Sequence, residues 1–427
     1  MQTFHKALEA SETYSPAEEQ FNRRRRTVGM VLAPIVFFGL WLMPMSGLNP
    51  QAQTMAAIMA LVIVLWLSEA LPIAVTAMFG PLLAIVLGVA PAAQALAPFS
   101  DPIIFLFIGS FILAQAMFVH GVDRRIAYTA LSMPAVGSRP FRILMVYAGV
   151  CAFLSMWISN TATTAMMFPI GLSIIGHLAR GAKGHHEQVR SFAMAMMLVT
   201  SFAASVGGMG TPVGTPPNLI GIGMLEKIVG AKTSFFSWMA IGVPLVALLF
   251  GYLMVHFYFS SVRGLQAVEG STAMVRDEMQ KLGRVTRAQR NVLMAFATTV
   301  LLWVLPGLFA LAGVGQSALA QRYAQSMPEG VAAMVGALML FVLPVDWRAR
   351  RFTISWDEAV KIDWGIVLLY GGGLAVGELA FSTGLAREVG ESVTTWLPVQ
   401  STLSLTIIFT LAAIALSEVA STRLRPT

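Results

Sequence analysis

The feature that most constrains this chain is a series of long apolar runs. Residues 236–257 hold no acidic or basic side chain apart from one histidine, and residues 28–45, 55–67, 292–312 and 330–344 are as apolar without even that. As helices rising about 1.5 Å per residue, such runs approach or exceed the roughly 30 Å of a bilayer's hydrocarbon core. Composition agrees: 56% of the 427 residues are hydrophobic and 11% are charged, against about 25% charged in soluble domains. Period-two alternation is weak and most runs end at Gly, Pro, Arg or Lys, which argues against a barrel. The expected class is an all-α polytopic membrane protein, with roughly nine or ten passes or re-entrant segments.

Charge distribution orients the chain. With the N-terminus in the cytoplasm, Arg23–Arg26, Arg124, Arg125, Arg139, Arg142, Arg180, Lys183, Arg190, Arg263, the cluster from Arg276 to Arg290, Arg348, Arg350, Arg351 and Lys361 share one side, and Lys227, Lys232, Arg322 and Arg387 the other. This positive-inside asymmetry holds only if residues 141–177 enter and leave from the cytoplasmic side as a re-entrant hairpin. Net charge is +7, but the basic residues lie between spans rather than on one soluble face, so nucleic acid is not an expected partner; the lipid bilayer is. The lone cysteine, Cys151, sits in an apolar run and reads as a packed thiol.

The chain also repeats. Asp101-Pro-Ile-Ile-Phe-Leu-Phe-Ile-Gly109 resembles Asp363-Trp-Gly-Ile-Val-Leu-Leu-Tyr-Gly371, and Leu154-Ser155-x-x-x-Ser159 matches Leu416-Ser417-x-x-x-Ser421, both at an offset of 262 residues. Under the charge-directed topology Asp101 starts outside and Asp363 inside, so the copies are inverted, an architecture of secondary transporters with broken helices and a midplane site. The expected organisation is a cytosolic tail (1–27), a first repeat with scaffold helices and an inward-opening hairpin (28–259), a cytosolic or interfacial linker (260–290) and a second inverted repeat (291–421).

Within the hairpin, Ser155-Met-Trp-Ile-Ser159-Asn160-Thr161-Ala-Thr163-Thr164 is too polar to face lipid and must be buried or line a cavity. Helix-packing glue is the plain alternative. Ser155 and Ser159 stand one helical turn apart, and with Asn160 they offer the neutral oxygens that suit a small hard cation. The helix starting near Thr161 offers free N–H groups to an anion. Farther on, Gly207-Gly208-Met-Gly210-Thr211-Pro212-Val-Gly214-Thr215-Pro216-Pro217-Asn218 must break a helix-length apolar region and free its carbonyls. A structural kink is the alternative there; a P-loop is excluded by the missing Gly-Lys-Ser/Thr ending. Glu69, Glu378 and Glu418 lie in or near apolar spans and read either as functional or as capped, paired carboxylates. No zinc-type spacing occurs among the histidines, and nothing points to an enzyme.

Together with Trp66-Leu-Ser-Glu69-Ala-Leu-Pro72-Ile-Ala-Val-Thr76-Ala, the Ser159-Asn160-Thr161 tip and the Gly-Thr-Pro-Pro-Asn loop resemble the divalent anion:sodium symporter family, the bacterial relatives of the sodium-coupled dicarboxylate and citrate carriers. The resemblance implies two facing Ser-Asn-Thr tips, each with a sodium site, and substrate carboxylates between them. Carried over residue by residue, Ser155, Ser159, Asn160 and the Gly214 carbonyl form the first sodium site, Ser417 and Ser421 belong to the second, and Asn160, Thr161, Thr215 and Pro216 bind substrate. It further implies sodium ions, a small di- or tricarboxylate anion, the inner membrane and a homodimer. A sulfate carrier and a non-transporting anion sensor are the alternatives, and proton coupling stays open.

One departure stands out. The repeat calls for Asn-Thr-Ala-Thr after Ser421, where the chain reads Thr422-Arg-Leu-Arg425-Pro-Thr427. Restoring one adenine after the Ser421 codon recovers Asn-Thr-Ala-Thr. Residues 422–427 are therefore expected to be an aberrant tail, and the chain ending there to be inactive.

Overall fold

The computed structural model describes residues 16–43, 45, 47–181, 186–263, 271–396 and 401–421, with the backbone alone at several positions that include 416–421. Among these, strands occur only as the short pair β1 (Pro344–Asp346) and β2 (Arg351–Phe352). The helices are α1 (Pro16–Leu42), α2 (Pro50–Ser68), α3 (Ile73–Val86), α4 (Ala92–Leu96), α5 (Pro102–Val119), α6 (Val122–Leu131), α7 (Pro140–Ser155), α8 (Asn160–Gly181), α9 (His186–Gly208) and α10 (Pro216–Met224). They continue with α11 (Phe235–Phe257), α12 (Ser271–Lys281), α13 (Arg287–Leu311), α14 (Ala318–Ser326), α15 (Glu329–Val342), α16 (Trp356–Ala359), α17 (Trp364–Ser382), α18 (Leu385–Trp396) and α19 (Thr402–Ser421). Among the described residues seven helical stretches are long and apolar enough to cross a membrane, or eight if α14 and α15, bent by 67° at their junction, form one span. The protein is a multi-pass helical membrane protein. The sequence-based figure of nine or ten passes or re-entrant segments is reached only by adding shorter apolar helices such as α3, α7 and residues 402–415.

Two compact units divide at the paired aspartates: residues 1–101 with 364–427, and residues 102–363. In the first unit α1 packs on α2, and α3 on α17. Small residues set the second contact: a Cβ on Gly372 would come 2.2 Å from the Ala77 carbonyl oxygen, and one on Gly80 2.2 Å from Val376, the close approach that lipid-embedded helices favour. The Asn49 side chain accepts the Ala52 N–H at 2.7 Å and starts α2. Glu69 ends α2 in the left-handed region (φ 49°), and its carboxylate pairs with Arg25 at 2.7 Å. Of its two readings, the paired and capping one is what the geometry displays. Glu378 is half-buried in α17, and the Glu418 side chain lies outside the described residues.

In the second unit α5 packs against α15, with Gly109 against the Ala333 backbone and Gly330 against the Pro102 carbonyl. Both α7 and α8 pack on α9. At 16 residues, α7 extends roughly 24 Å, short of a full crossing, and α8 follows after a four-residue break. The Tyr147 hydroxyl ties the three helices together: it donates to the Met167 carbonyl at 2.9 Å and stands 2.9 Å from the Thr200 hydroxyl. It lies over Gly171, where a Cβ would come within 2.7 Å of it. At the place that the 262-residue offset pairs with this break, α19 runs unbroken through Ser417 to Ser421.

On α6, just past the end of α5, Asp123 is 2% exposed and accepts the Arg124 N–H at 2.6 Å. Burial raises its pKa from 3.8 to about 6. The folded state therefore binds this proton more tightly than the unfolded one. The resulting stability is complete below pH of about 4 and is lost as pH rises through about 6. Asp123→Asn should raise the unfolding free energy above neutral pH by an amount on the order of 2–3 kcal/mol, seen as a higher melting temperature, and change it little near pH of about 4. Thermal unfolding in detergent across that range checks this; an unchanged pH profile would show that the carboxylate is relieved in some other way.

Candidate functional site

The break between α7 and α8 begins where α7 runs out of intrahelical partners and ends at a cap. The Ser159 carbonyl accepts the Thr163 N–H at 2.9 Å and its hydroxyl accepts the Ala162 N–H at 3.3 Å, so Ser159 is the N-cap of α8. The N–H groups of Asn160 and Thr161, the first two of the helix, take no partner among the described residues. Across the break the Ser155 hydroxyl donates to Asn160 Oδ1 at 2.7 Å. Ser155 is fully buried, Ser159 and Asn160 are half-buried, and Thr161 is exposed.

The second break, after α9, folds back onto the first. Gly207 packs on the Ala152 backbone, where a Cβ would come 2.1 Å from the carbonyl oxygen, and a Cβ on Gly208 would come 2.2 Å from Asn160 Oδ1. Gly214 is as tightly enclosed: its Cβ would meet the Gly208 carbonyl oxygen at 2.5 Å and the Ser155 carbonyl oxygen at 2.9 Å. Of the predicted first-site residues, the structure thus brings Ser155, Asn160 and the Gly214 backbone together, with Ser159 beside them as the cap. Thr215 and Pro216 are half-buried at the start of α10, where Thr215 holds the N-cap position without using its hydroxyl for capping. Because Pro216 and Pro217 open α10 and the Asn218 N–H is taken by the Thr215 carbonyl at 3.1 Å, its first turn has no N–H to offer a ligand, and the Thr215 hydroxyl is the donor there. The backbones of Ser417 and Ser421 lie in α19, and their side chains fall outside the described residues, as do residues 422–427.

Several residues that hold this geometry had no assigned role in the sequence. The buried Thr211 hydroxyl donates to the Met156 carbonyl. Asn218 Nδ2 donates to the carbonyls of Gly208 and Thr211, both at 2.9 Å, and the Trp238 indole donates to the Met209 carbonyl at 3.0 Å. The signal for Asn218 was an amide closing a proline pair inside an apolar region; Trp238 carried none. Thr163 is fully buried on the α8 face of Asn160, one turn on, and its hydroxyl has no hydrogen-bond partner among the described residues. Neither residues 155–164 nor 207–218 contain an ionisable side chain. The site is a neutral cluster of hydroxyl, amide and carbonyl oxygens beside two free N–H groups, able to hold a hard monovalent cation and, next to it, an anion.

Comparison with known proteins is consistent with this chemistry. A family model described as the sodium:sulfate symporter transmembrane region matches residues 24–423. The sodium-dependent dicarboxylate transporters SdcS of Staphylococcus aureus strains RF122 and USA300 are each 30% identical over 378 residues, covering 86% of this chain and 69% of theirs.

If the Ser155–Asn160 junction holds the cation, Asn160→Ala should weaken sodium binding about ten- to a hundredfold. Gly208→Ala, which drives a methyl group into Asn160 Oδ1, should do the same without removing a ligand. Sodium titration followed by tryptophan fluorescence checks this, Trp157 and Trp238 flanking the site; an affinity unchanged in both variants places the ion elsewhere.

Proposed function

Since the chain belongs to the sodium:sulfate symporter family, we propose that it carries small di- or tricarboxylate anions with sodium ions across the inner membrane by alternating access. The observation that supports this most is the uncharged meeting of tip and loop. A carboxylate brought there finds donors, namely the Asn160 and Thr161 N–H groups and the Thr215 hydroxyl, but no arginine or lysine within residues 155–164 or 207–218. Burying unbalanced carboxylates would be costly, so co-bound sodium supplies the compensating charge, and coupling follows from electrostatics.

In this reading Ser155, Ser159, Asn160 and the Gly214 carbonyl hold one sodium ion, Ser417 and Ser421 contribute to a second, and Asn160, Thr161, Thr215 and Pro216 contact the substrate. Ser155 turns its hydroxyl proton away from Asn160 when the cation arrives, which frees both oxygens for it. The filled cation site then fixes Asn160 so that its amide N–H can meet the anion. The same proposal includes a homodimer, an N-terminus in the cytoplasm, and repeats over 28–259 and 291–421 joined by 260–290.

The two relatives' names speak of dicarboxylate and the family description of sulfate, so sulfate is the second substrate class to be separated. Proteoliposomes should accumulate labelled succinate or citrate only with an inward sodium gradient. Two proteins are assayed: the chain ending at Thr427, and one carrying Asn-Thr-Ala-Thr after Ser421 with the continuation of the shifted frame. Unlabelled dicarboxylate should compete better than sulfate. Competition by sulfate alone reassigns the substrate, and no sodium-driven uptake of any of these anions by either protein overturns the reading. Thr161→Ala and Thr215→Ala should raise the apparent KM for substrate by roughly tenfold each, the loss of one hydrogen bond to a charged group, with little change in the sodium dependence.

A further inference from the structure

The β1–β2 hairpin has a buried base and an exposed tip. At the base, Thr353 is 1% exposed and Ile354 2%. The Thr353 N–H and hydroxyl both donate to the Leu343 carbonyl, at 3.0 and 2.8 Å. Asn291 Nδ2 donates to the Thr353 hydroxyl and the Pro344 carbonyl, and His120 Nε2 lies 2.5 Å from the Thr353 carbonyl oxygen. Those bonds fix the hairpin on the ends of α5, α13 and α15. At the tip the Arg350 N–H closes a turn on the Trp347 carbonyl, and Arg350 itself sits in the left-handed region, φ 49°.

What this rigid base presents is unusual for a short turn. Arg348, Arg350 and Arg351 are all exposed, and none has an ion pair among the described residues. Two neighbouring carboxylates are engaged elsewhere: Asp346 accepts the N–H groups of Arg348 and Ala349, and Glu358 accepts the N–H and hydroxyl of Ser355. Asp357 is exposed in the first turn of α16; with Asp346 and Glu358 it sets three formal negative charges against the three arginines, whose own charge is gathered at the tip, residues 348–351. Trp347 and Trp356 are 72% and 66% exposed, Phe352 lies open on β2, and the Trp356 ring stands 6.4 Å from Phe341 near the end of α15. Indole rings beside guanidinium groups at the end of an apolar helix are suited to the boundary between acyl chains and headgroups, where the rings settle at headgroup depth and the cations meet phosphate. Arginine's planar fork also pairs with two phosphate oxygens at once.

We infer that residues 345–356 form an interfacial anchor that binds anionic phospholipid headgroups of the leaflet facing the chain's basic side. The partner is a phosphodiester lipid rather than a dissolved anion, because the aromatic side chains need an acyl boundary and the arginines need phosphate at a fixed depth. This inference requires only membrane embedding and is independent of what the site between tip and loop carries.

Nanodiscs holding the full chain in phosphatidylcholine, with phosphatidylglycerol titrated in, test it by hydrogen exchange over residues 345–356. Phosphatidylglycerol should slow exchange there. The fraction needed for half-protection should rise about fivefold for each arginine removed, and about a hundredfold for Arg348→Gln, Arg350→Gly and Arg351→Gln together. Arg350→Gly suits the left-handed turn, so the variant keeps the hairpin, and an unchanged melting temperature in phosphatidylcholine alone verifies that. Arg322→Gln, placed by charge distribution on the opposite side, should have no effect. Retained lipid-dependent protection in the triple variant overturns the inference, and so does equal protection by dissolved glycerol phosphate.

Discussion

Backbone polar groups without water are the constraint on which this structure rests. In hydrocarbon each unpaired N–H or C=O costs several kcal/mol, so a helix in the bilayer can break only where something else takes over its hydrogen bonds. Here the second break repairs the first and is itself repaired by residues that follow it in the chain. The first frees the Met156 carbonyl, which Thr211 of the second satisfies; the second frees the carbonyls of Gly208, Met209 and Thr211, which Asn218 and Trp238 satisfy. The first break thus relies on the second for the Met156 carbonyl. What remains at their junction is a small set of oxygens and N–H groups not consumed by the repair, and that remainder is the candidate site.

Glycine sets how closely the two breaks can meet. At Gly207, Gly208 and Gly214 any Cβ would come within 2.1, 2.2 and 2.5 Å of backbone or the Asn160 amide, well inside ordinary contact. The same device recurs away from the site, where Gly109, Gly330 and Gly372 let whole helices approach. Close helix packing and site assembly thus draw on one kind of residue for one reason.

How much of this the sequence could reveal follows from the kind of signal each residue leaves. Ser155, Ser159 and Asn160 were legible because polar side chains in an apolar stretch need an explanation, and the glycine–proline run because it cannot be a helix. The repeated aspartates marked the starts of α5 and α17 and also the limits of the two units. Thr211, Asn218 and Trp238 were not legible in their roles, because each acts on a carbonyl seven to fifty-five positions away in the chain that only the fold brings near. Glu69 shows the opposite limit: a carboxylate beside an apolar span read equally as function or cap, and only the position of Arg25 at the other end of a helical hairpin separates the two.

The absence of acids and bases from residues 155–164 and 207–218 has a further consequence. A recognition surface made of hydroxyls, amides and backbone has no proton inventory, so its affinity for any one ionic form stays constant across the range in which carboxylic acids titrate. Whatever acidity does to traffic through such a surface is then dictated by the speciation of the cargo in the surrounding medium. Tip and loop, if they form that surface, take the charge state the ligand arrives in and have no group of their own with which to change it.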